Sequence, residues 1–324
     1  MNLFAGALAP KRTVTIGLAA ASAALALALL IAAAHPAAAA ARPKCLGSTA
    51  TIVGTKKSNH IRGTRHNDVI VAKGGNDSIN GNGGRDKICG GPGDDRIEGG
   101  TRNDHLEGGP GRDRIWGHGG NDVIVGDEGN PHGTATGSTG KDYINGGFGA
   151  DLLIGDNYGR LLATGASHDR ILGLGGPDRL IGDSAVIGAG KARGGAPDKL
   201  TGAGGKDLVV GDSFSPLGVA IGGGNDNLCG GPKSDLLVGD SLTHTGVARG
   251  SGRDRLQALS GSDVIYGDSR ATKRSGRARS GGSDLLTGGP GNDHLIGGPK
   301  RDNCAGGPGR DHARKCGGWN KGIP

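Results

Sequence analysis

The sequence predicts an all-β solenoid, in which short repeats wind into stacked coils. An aspartate returns every nine residues from Asp68 to Asp122, and an aliphatic residue follows each one after two places, as Ile97 follows Asp95. Glycines fill most of the turn that precedes each aspartate. A period held over three or more units is the signature of a repeat architecture.

The composition argues against a conventional globular core. The chain has 324 residues, of which 70 are glycine, and only 2% are aromatic, so few large side chains are available for burial. Glycine at this level without a three-residue period excludes collagen and leaves disorder as the competing interpretation. The strict nine-residue register argues against disorder, at least when a ligand is present.

Each repeat predicts one turn and one very short strand. After the glycine turn come three residues that alternate polar, apolar and polar, such as Arg96-Ile97-Glu98. This is the pattern of a strand with one inward side chain. Nine residues then make half a coil, and stacked coils lie about 4.8 Å apart, the spacing of neighbouring strands.

The spacing changes in the middle of the chain. Between Asp122 and Asp284, gaps of nine residues alternate with gaps of 18 to 21, which gives units of about 28 residues. Each long gap has a Gly-Asp pair near its start, and a later Gly-x-Ala-x-Gly motif recurs, as at residues 190–194. Because long and short gaps alternate, we expect six loops at one edge and an uninterrupted edge from Asp68 to Asp311. The predicted segments are a signal peptide (1–41), an N-terminal cap (42–58), a regular nonapeptide solenoid (59–126), a solenoid with protruding loops (127–283), a second regular part (284–313) and a C-terminal cap or tail (314–324).

The N-terminus has the pattern of a secretory signal. Lys11 and Arg12 precede an apolar stretch over residues 13–34, and a run of alanines then ends at Ala41. The stretch is also long enough for an uncleaved membrane anchor, but its alanine richness and small-residue exit favour cleavage near Ala41. We therefore expect a secreted protein, extracellular or associated with the cell surface, with no membrane span after cleavage.

The five cysteines suit an oxidising compartment. Cys304 and Cys316 bracket the last repeat and are one candidate disulfide, and Cys45 and Cys89 bracket the first repeats and are another. Cys229 is then the odd one. There is no Cys-x-x-Cys motif, which argues against a zinc site.

The net charge of +7 raises nucleic acid as a partner. However, Lys and Arg are scattered singly, often just before the aspartate, as at Arg85 and Arg112. We interpret them as a solvated face that partly offsets the carboxylates. Without a run of stacking aromatics or a recognition helix, we expect no nucleic-acid partner.

Residues 108–116, Gly-Gly-Pro-Gly-Arg-Asp-Arg-Ile-Trp, match the motif Gly-Gly-x-Gly-x-Asp-x-U-x in full, and so do residues 146–154 and 288–296. The chain thereby resembles the RTX, or hemolysin-type, calcium-binding repeat proteins over residues 59–313. The resemblance implies a parallel β-roll in which Ca²⁺ ions lie between the turns of successive coils.

The chemistry of the repeat fits calcium independently. Ca²⁺ prefers six to eight oxygen ligands at flexible distances, and glycine turns can direct backbone carbonyls to one point. A buried aliphatic side chain stabilises each repeat by only about 1.5–3 kcal/mol, whereas ordering nine residues costs about 1–2 kcal/mol each. We therefore expect folding to be linked to calcium binding, at the roughly 10⁻⁴–10⁻³ M typical of extracellular modules.

The turns differ in how well they suit an ion. Arg102, Lys233 and Lys300 replace the last turn glycine, and His66, Ser167 and Ala196 do so elsewhere, which puts the carbonyl geometry of those turns in question. The preferred ligands, termed the plain-turn aspartates, are Asp77, Asp86, Asp95, Asp113, Asp122, Asp151, Asp178, Asp207, Asp293 and Asp311. The lower-ranked ligands are Asp68, Asp104, Asp142, Asp169, Asp198, Asp226, Asp235, Asp254, Asp263, Asp284 and Asp302.

A second aspartate opens each long gap, in place of the second glycine of an ordinary turn. One interpretation is an extra calcium ligand on the loop edge. The other is an Asx-turn, in which the carboxylate starts the loop by bonding its own backbone. These residues, termed the loop-base aspartates, are Asp127, Asp156, Asp183, Asp212, Asp240 and Asp268.

The sequence favours a secreted, non-enzymatic calcium-binding protein with a structural or adhesive role and a cell-surface glycan or protein as partner. One alternative is the accessory roll of a toxin or secreted hydrolase, although no non-repeat stretch is long enough to hold such a domain. The N-terminal signal also departs from the C-terminal export signal usual in the family. Another alternative is a glycan- or cell-wall-binding module that uses the loop edge, although the loops vary in content.

Overall fold

A computed structural model describes residues 41–273 and 275–320, which are built from strands and turns with no helical segment. The predicted signal peptide lies outside the described residues except for Ala41. The described residues from Pro43 onward belong to one compact unit, which is an all-β parallel solenoid. The predicted β-roll is confirmed. Among the described residues, no helix of the length and apolarity needed to cross a membrane is found.

Two parallel sheets of twelve strands each form the roll, with strands that alternate between them along the chain. A two-stranded antiparallel ribbon, β1 (Lys44–Cys45) and β2 (Ser48–Thr49), precedes them. Sheet I contains β3 (Ile52–Val53), β5 (Val69–Val71), β7 (Lys87–Cys89), β9 (His105–Glu107), β11 (Val123–Val125), β15 (Leu152–Ile154), β19 (Arg179–Ile181), β23 (Leu208–Val210), β27 (Leu236–Val238), β31 (Val264–Tyr266), β35 (His294–Ile296) and β37 (His312–Arg314). Sheet II contains β4 (His60–Arg62), β6 (Ser78–Asn80), β8 (Arg96–Thr101), β10 (Arg114–Gly119), β14 (Tyr143–Phe148), β18 (Arg170–Gly175), β22 (Lys199–Gly204), β26 (Asn227–Pro232), β30 (Arg255–Ser260), β34 (Leu285–Thr287), β36 (Asn303–Ala305) and β38 (Gly318–Asn320).

The aliphatic residue of each repeat forms the core between the two sheets. Ile79, Ile97 and Ile115 are register partners in sheet II, while Ile88 and Leu106 pair in sheet I. These side chains are between 0% and 2% exposed, and they belong to one continuous cluster along the roll. The predicted inward position is therefore the one that the structure buries.

The six loops form two further parallel sheets, which the sequence did not predict. The alanines of the Gly-x-Ala-x-Gly motif, Ala192, Ala220 and Ala248, are register partners and are fully buried. Sheet III contains β12 (Gly129–Asn130), β16 (Tyr158–Gly159), β20 (Ala185–Val186), β24 (Phe214–Ser215), β28 (Leu242–Thr243) and β32 (Arg270–Ala271). Sheet IV contains β13 (Thr134–Ala135), β17 (Leu162–Thr164), β21 (Lys191–Arg193), β25 (Val219–Ile221), β29 (Val247–Gly250) and β33 (Arg277–Ser280).

Sheet III packs against the outer face of sheet I. Ile181 and Val210 at the ends of sheet I strands share a second apolar cluster with Ala185 and Leu242 of sheet III. In this region each sheet I strand therefore has two successive apolar residues, such as Leu180 and Ile181. The first faces the core between sheets I and II, and the second faces sheet III. The same doubled position occurs at Ile70-Val71, where Val71 packs against the N-terminal segment at Cys45 and Ala50, so this pattern marks places where a further segment covers sheet I.

The roll extends into both predicted caps. Strand β3, in the predicted N-terminal cap, pairs in parallel with β5. Strand β38, in the predicted tail, pairs with β36. The terminal segments thus continue the ladder of backbone hydrogen bonds.

Two disulfides close the ends of the roll. Cys45 of β1 is bonded to Cys89 of β7, with a Cα–Cα distance of 5.7 Å, and Cys304 is bonded to Cys316, with a Cα–Cα distance of 5.9 Å. Cys229 is half-buried in sheet II and carries no disulfide. Each bond joins a strand of the roll to a segment that covers its end.

Removing the first disulfide should loosen the first coils. Because the bond closes a loop with a sequence separation of 44 residues, we expect Cys45→Ser/Cys89→Ser to lower the free energy of unfolding of these coils by about 2–4 kcal/mol. Amide hydrogen exchange in calcium should show lost protection in β3 and β5 and unchanged protection in β22 and β23. Uniform loss along the roll would contradict this localisation.

Candidate metal centres

Two columns of aspartates run along the roll, one at each edge, and each column is held by a bond between consecutive members. The backbone N–H of one aspartate donates to Oδ1 of the aspartate in the next coil, at 2.7 Å from Asp95 to Asp113 and 3.0 Å from Asp293 to Asp311. The uninterrupted column contains Asp68, Asp86, Asp104, Asp122, Asp151, Asp178, Asp207, Asp235, Asp263, Asp293 and Asp311. The loop-edge column contains Asp77, Asp95, Asp113, Asp142, Asp169, Asp198, Asp226, Asp254, Asp284 and Asp302.

The second carboxylate oxygen of most column members is buried without a hydrogen-bond partner. In Asp95, Asp113 and Asp178, for example, Oδ1 accepts the interstrand bond while Oδ2 makes none. The Oδ2 of Asp113 lies against Gly108, the glycine that ends the preceding strand, so that a Cβ there would collide with it. A buried acceptor without a partner costs roughly 1–3 kcal/mol, so this oxygen is placed for a ligand.

The backbone of each regular turn brings carbonyl oxygens to the same region. Gly91 and Gly93 have φ angles of 99° and 145°, which glycine adopts without strain. A Cβ on either glycine would collide with a carbonyl oxygen of the preceding turn, at Lys73 and Gly75 respectively. Successive turns on one edge therefore face each other through carbonyl oxygens.

Two of the substituted turns keep this conformation. Arg102 and Lys233 have φ angles of 83° and 90°, in the region that glycine occupies in the plain turns. Oδ1 of Asp104 accepts the N–H of Asp86, Oδ1 of Asp235 accepts the N–H of Asp207, and the Oδ2 of each is buried without a partner. Arg102 and Lys233 thus hold a backbone conformation like that of the turn glycines, and the lower rank of Asp104 and Asp235 as calcium ligands stays a prediction.

The loop-base aspartates close the loops. Oδ1 of Asp212 accepts the backbone N–H of Gly224 at 2.9 Å, and Asp240 does the same with Gly252. In both cases the donor lies 12 residues later, at the far end of the loop, rather than two residues later as in an Asx-turn. The local-turn interpretation does not describe these bonds.

The loop-base aspartates also stack on one another inside the roll. Asp156, Asp212 and Asp240 are fully buried, each with an unpartnered Oδ2. The hydroxyls of Ser184 and Ser213, next to loop-base positions, are also buried without partners. A third column of oxygen atoms thus runs beside the loop-edge aspartates.

Burial raises the pKa values of these carboxyl groups. In the uninterrupted column, desolvation raises the pKa of Asp86 to about 6 and that of Asp104 to about 8, and the N–H bond from the preceding aspartate offsets part of the rise. Burial, followed by repulsion from neighbouring carboxylates, raises the pKa of Asp183 and Asp212 well above the usual value. Ionising these groups requires compensating positive charge.

The donors in these columns are hard oxygen atoms. Within the described residues, no group of three or more His, Cys, Asp or Glu side chains is arranged to hold a metal ion without other ligands. The turns instead combine an aspartate with backbone carbonyls. This donor set fits Ca²⁺, which accepts carboxylate and carbonyl oxygens together.

A model of the RTX calcium-binding nonapeptide repeat matches more than half of the sequence. The chain belongs to the RTX calcium-binding nonapeptide repeat family. These repeats bind Ca²⁺, and the buried aspartate columns agree with that chemistry. No curated protein matches the chain. The matched residues are 50–72, 62–97, 98–131, 133–157, 162–185, 250–269 and 280–313.

The RTX roll continues between the matched segments. Residues 186–249 lie between two of them, and there β22 pairs with β26 and β23 with β27 in the same register as elsewhere. The aspartate columns also continue, through Asp198, Asp207 and Asp226. The whole described roll therefore has one architecture.

Without calcium, the RTX roll should lose stability as the pH rises. The folded-state pKa values of Asp86, Asp95 and Asp104 are raised from 3.8 to about 6, 7 and 8. Their contribution to stability is therefore complete below about pH 4 and is lost as the pH rises through about 6 to 8. We expect far-UV circular dichroism in chelator to show more β structure at pH 4 than at pH 8.

In saturating calcium we expect the opposite result, with more β structure at pH 8 than at pH 4, because calcium binds the deprotonated carboxylates. The same β signal at both pH values in chelator would contradict the raised pKa values as the cause.

Proposed function

We propose that this chain is a secreted, non-enzymatic calcium-binding protein whose roll folds when Ca²⁺ binds and which acts as a structural or adhesive element. The observation that carries the proposal is the series of buried, unpartnered Oδ2 atoms in the aspartate columns. Carboxylates in such places require either protons or cations. At neutral pH and the millimolar calcium outside cells, calcium supplies the charge.

The ligands in this proposal are the plain-turn aspartates together with the carbonyls of their turns. Asp104 and Asp235 join them, because their turns keep the same conformation. An ion between two turns of one edge links adjacent coils, and binding free energy thereby becomes folding free energy. The Asp residues bind and orient the ion, while the glycines leave space for the carbonyls.

The extracellular location is supported by the apolar N-terminal segment and by the two disulfides. Disulfides persist in oxidising compartments, and these two join the terminal coils. Calcium-dependent folding suits secretion, because a chain that folds only at millimolar calcium stays unfolded in the cytoplasm. An adhesive role is supported by the sheets III and IV that the loops add along one edge.

A calcium titration tests the linkage of binding and folding. We expect the β signal of purified protein at pH 7.5 to appear with calcium, and Asp95→Asn/Asp113→Asn to raise the midpoint about tenfold through lost ligand charge. Asparagine keeps an Oδ1 acceptor for the interstrand bond, but it removes the charge and replaces Oδ2 by an NH2 group, which cannot bind Ca²⁺.

Asp94→Asn is the matched control. Asp94 is exposed, and its Oδ1 accepts the N–H of Arg112. At the equivalent position one coil earlier, Oδ1 of Asn76 accepts the N–H of Asp94, so asparagine already makes this bond in the chain. The control should leave the midpoint unchanged. A protein that is equally folded in excess chelator at pH 7.5 would overturn the linkage.

Asp212→Asn tests whether loop-base aspartates bind calcium. Asparagine keeps an acceptor for Gly224, so closure of the loop is preserved. If Asp212 is a ligand, as we propose, the calcium concentration for half-folding rises. If it is only a buried acid, removing its desolvation cost makes folding easier and that concentration falls. The sign of the change in the same titration decides between the two.

A further inference from the structure

Acidic and basic side chains occupy separate parts of the molecule. Of the 31 acidic residues, 26 are buried, all of them in the aspartate columns or at the loop-base positions. Among the described residues, no Lys or Arg is buried. The outer surface is therefore much more basic than the net charge of +7 indicates. The remaining acidic residues are Asp94, Glu98, Glu107, Glu128 and Asp311.

Basic side chains form a row across sheet II. The first residues of seven successive strands, β8 to β30, are register partners, and adjacent strands lie about 4.8 Å apart. Like charges directly opposite each other destabilise a sheet, so the Arg170–Lys199 pair weakens it unless an anion lies over it, whereas Arg96 is already ion-paired with Glu98. The exposed members, termed the sheet II basic row, are Arg96, Arg114, Arg170, Lys199 and Arg255, with Tyr143 and Asn227 at the two other positions.

A basic cleft of about 500 Å³ lies beside this row. Its rim includes Arg112, Arg114, Lys141 and Arg170, and within the described residues none of these four forms an ion pair within 4.0 Å. The carboxylates at its floor belong to the loop-edge column, where calcium neutralises them when it is bound.

Two aromatic rings add apolar surface to the cleft. Trp116 and Tyr143 line it with their ring centres 5.7 Å apart. The guanidinium of Arg96 lies 4.2 Å from the centre of the Trp116 ring, so the ring also fixes a member of the basic row. Rings next to cations provide both an apolar contact and a charge.

A second group of arginines lies on sheet IV, farther along the same edge. Arg249 and Arg279 are register partners, and with Arg193 they line a cleft of about 480 Å³. All three side chains are exposed. Cations are thus presented on both sides of the turns that carry the loops.

We propose that this edge of the roll binds a linear acidic polysaccharide, with the sheet II basic row and the basic cleft as the contact surface. Arginine forks bind carboxylates with two parallel hydrogen bonds, and a repeating polymer matches a surface whose cations repeat from strand to strand. The rings of Trp116 and Tyr143 already lie against Arg96 and Arg170, so they hold these guanidinium groups in place for the carboxylates of the polymer. The inference rests on the calcium-loaded state of the proposed function, because calcium cancels the charge of the buried columns.

Nucleic acid fits this surface less well. Binding of single strands uses successive aromatic platforms, whereas only 2% of the chain is aromatic and Arg96 lies over the Trp116 ring. Reading of a duplex needs a helix or two-stranded ribbon that enters the groove. The described parallel sheets present flat rows of cations instead.

Carboxymethyl-dextran and its uncharged parent dextran are matched probes. In millimolar calcium at pH 7.5, we expect the full protein to bind carboxymethyl-dextran and not dextran, measured by calorimetry. Arg114→Glu/Arg170→Glu should lower the affinity about tenfold or more, because it reverses two exposed charges at the surface. Circular dichroism of each variant verifies that the roll is folded.

Arg85→Glu/Arg310→Glu is the matched control. These two exposed arginines precede Asp86 and Asp311 of the uninterrupted column, so the variant has the same net charge with the contact surface intact. The control should keep wild-type affinity. An equal loss in both variants would show nonspecific attraction and overturn the located surface.

Three other results also overturn the proposal: no binding to the folded protein, equal binding of uncharged dextran, or binding of single-stranded DNA in preference to carboxymethyl-dextran. A failure of the calcium linkage is distinguishable from all of them. If the calcium linkage fails, the protein is folded in chelator, and the same probes and variants are then compared in chelator.

Discussion

The hydrogen bond from the N–H of one aspartate to the Oδ1 of the aspartate in the next coil is the constraint on which the rest of the molecule depends. It repeats along both edges at 2.7 to 3.0 Å, and it draws each carboxylate into the interior. The second oxygen is then buried without a protein partner. The fold therefore places acid groups where only a proton or a cation makes them stable, and the cation requirement follows from the packing itself.

The glycine that ends each strand explains how the roll accepts insertions. In regular coils a carboxylate lies against the glycine five residues earlier, as Asp113 lies against Gly108. In the coils with loops, Asp142 lies against Gly126 in the same way, although the loop separates them. A loop-base aspartate then fastens the far end of most loops, as Asp212 does with Gly224. Because the contact between the carboxylate and the glycine is kept, the chain between these two residues can be longer without disturbing the roll.

Much of the roll follows from the sequence because its determinants are local and periodic. The spacing of Asp95 and Ile97 places one carboxylate at a turn and one aliphatic side chain in the core, and the structure agrees. Sheets III and IV were not predicted, because the inward residue of the repeated loop motif is alanine, as at Ala192 and Ala220, and alanine is depleted in strands. The bond from Asp212 to Gly224 has no periodic signal, because its donor is a backbone N–H. The basic surface was underestimated, because net charge does not show which charges are buried.

The disulfides at the two ends have a mechanical consequence. In a stack of coils each unit is held mainly by its neighbours, so the first and last coils have half the support of the others and are where unravelling under tension begins. Cys45–Cys89 and Cys304–Cys316 lie across these weakest places. A pulling force applied outside Cys45 and Cys316 is then carried past the end coils to the coils between the two disulfides.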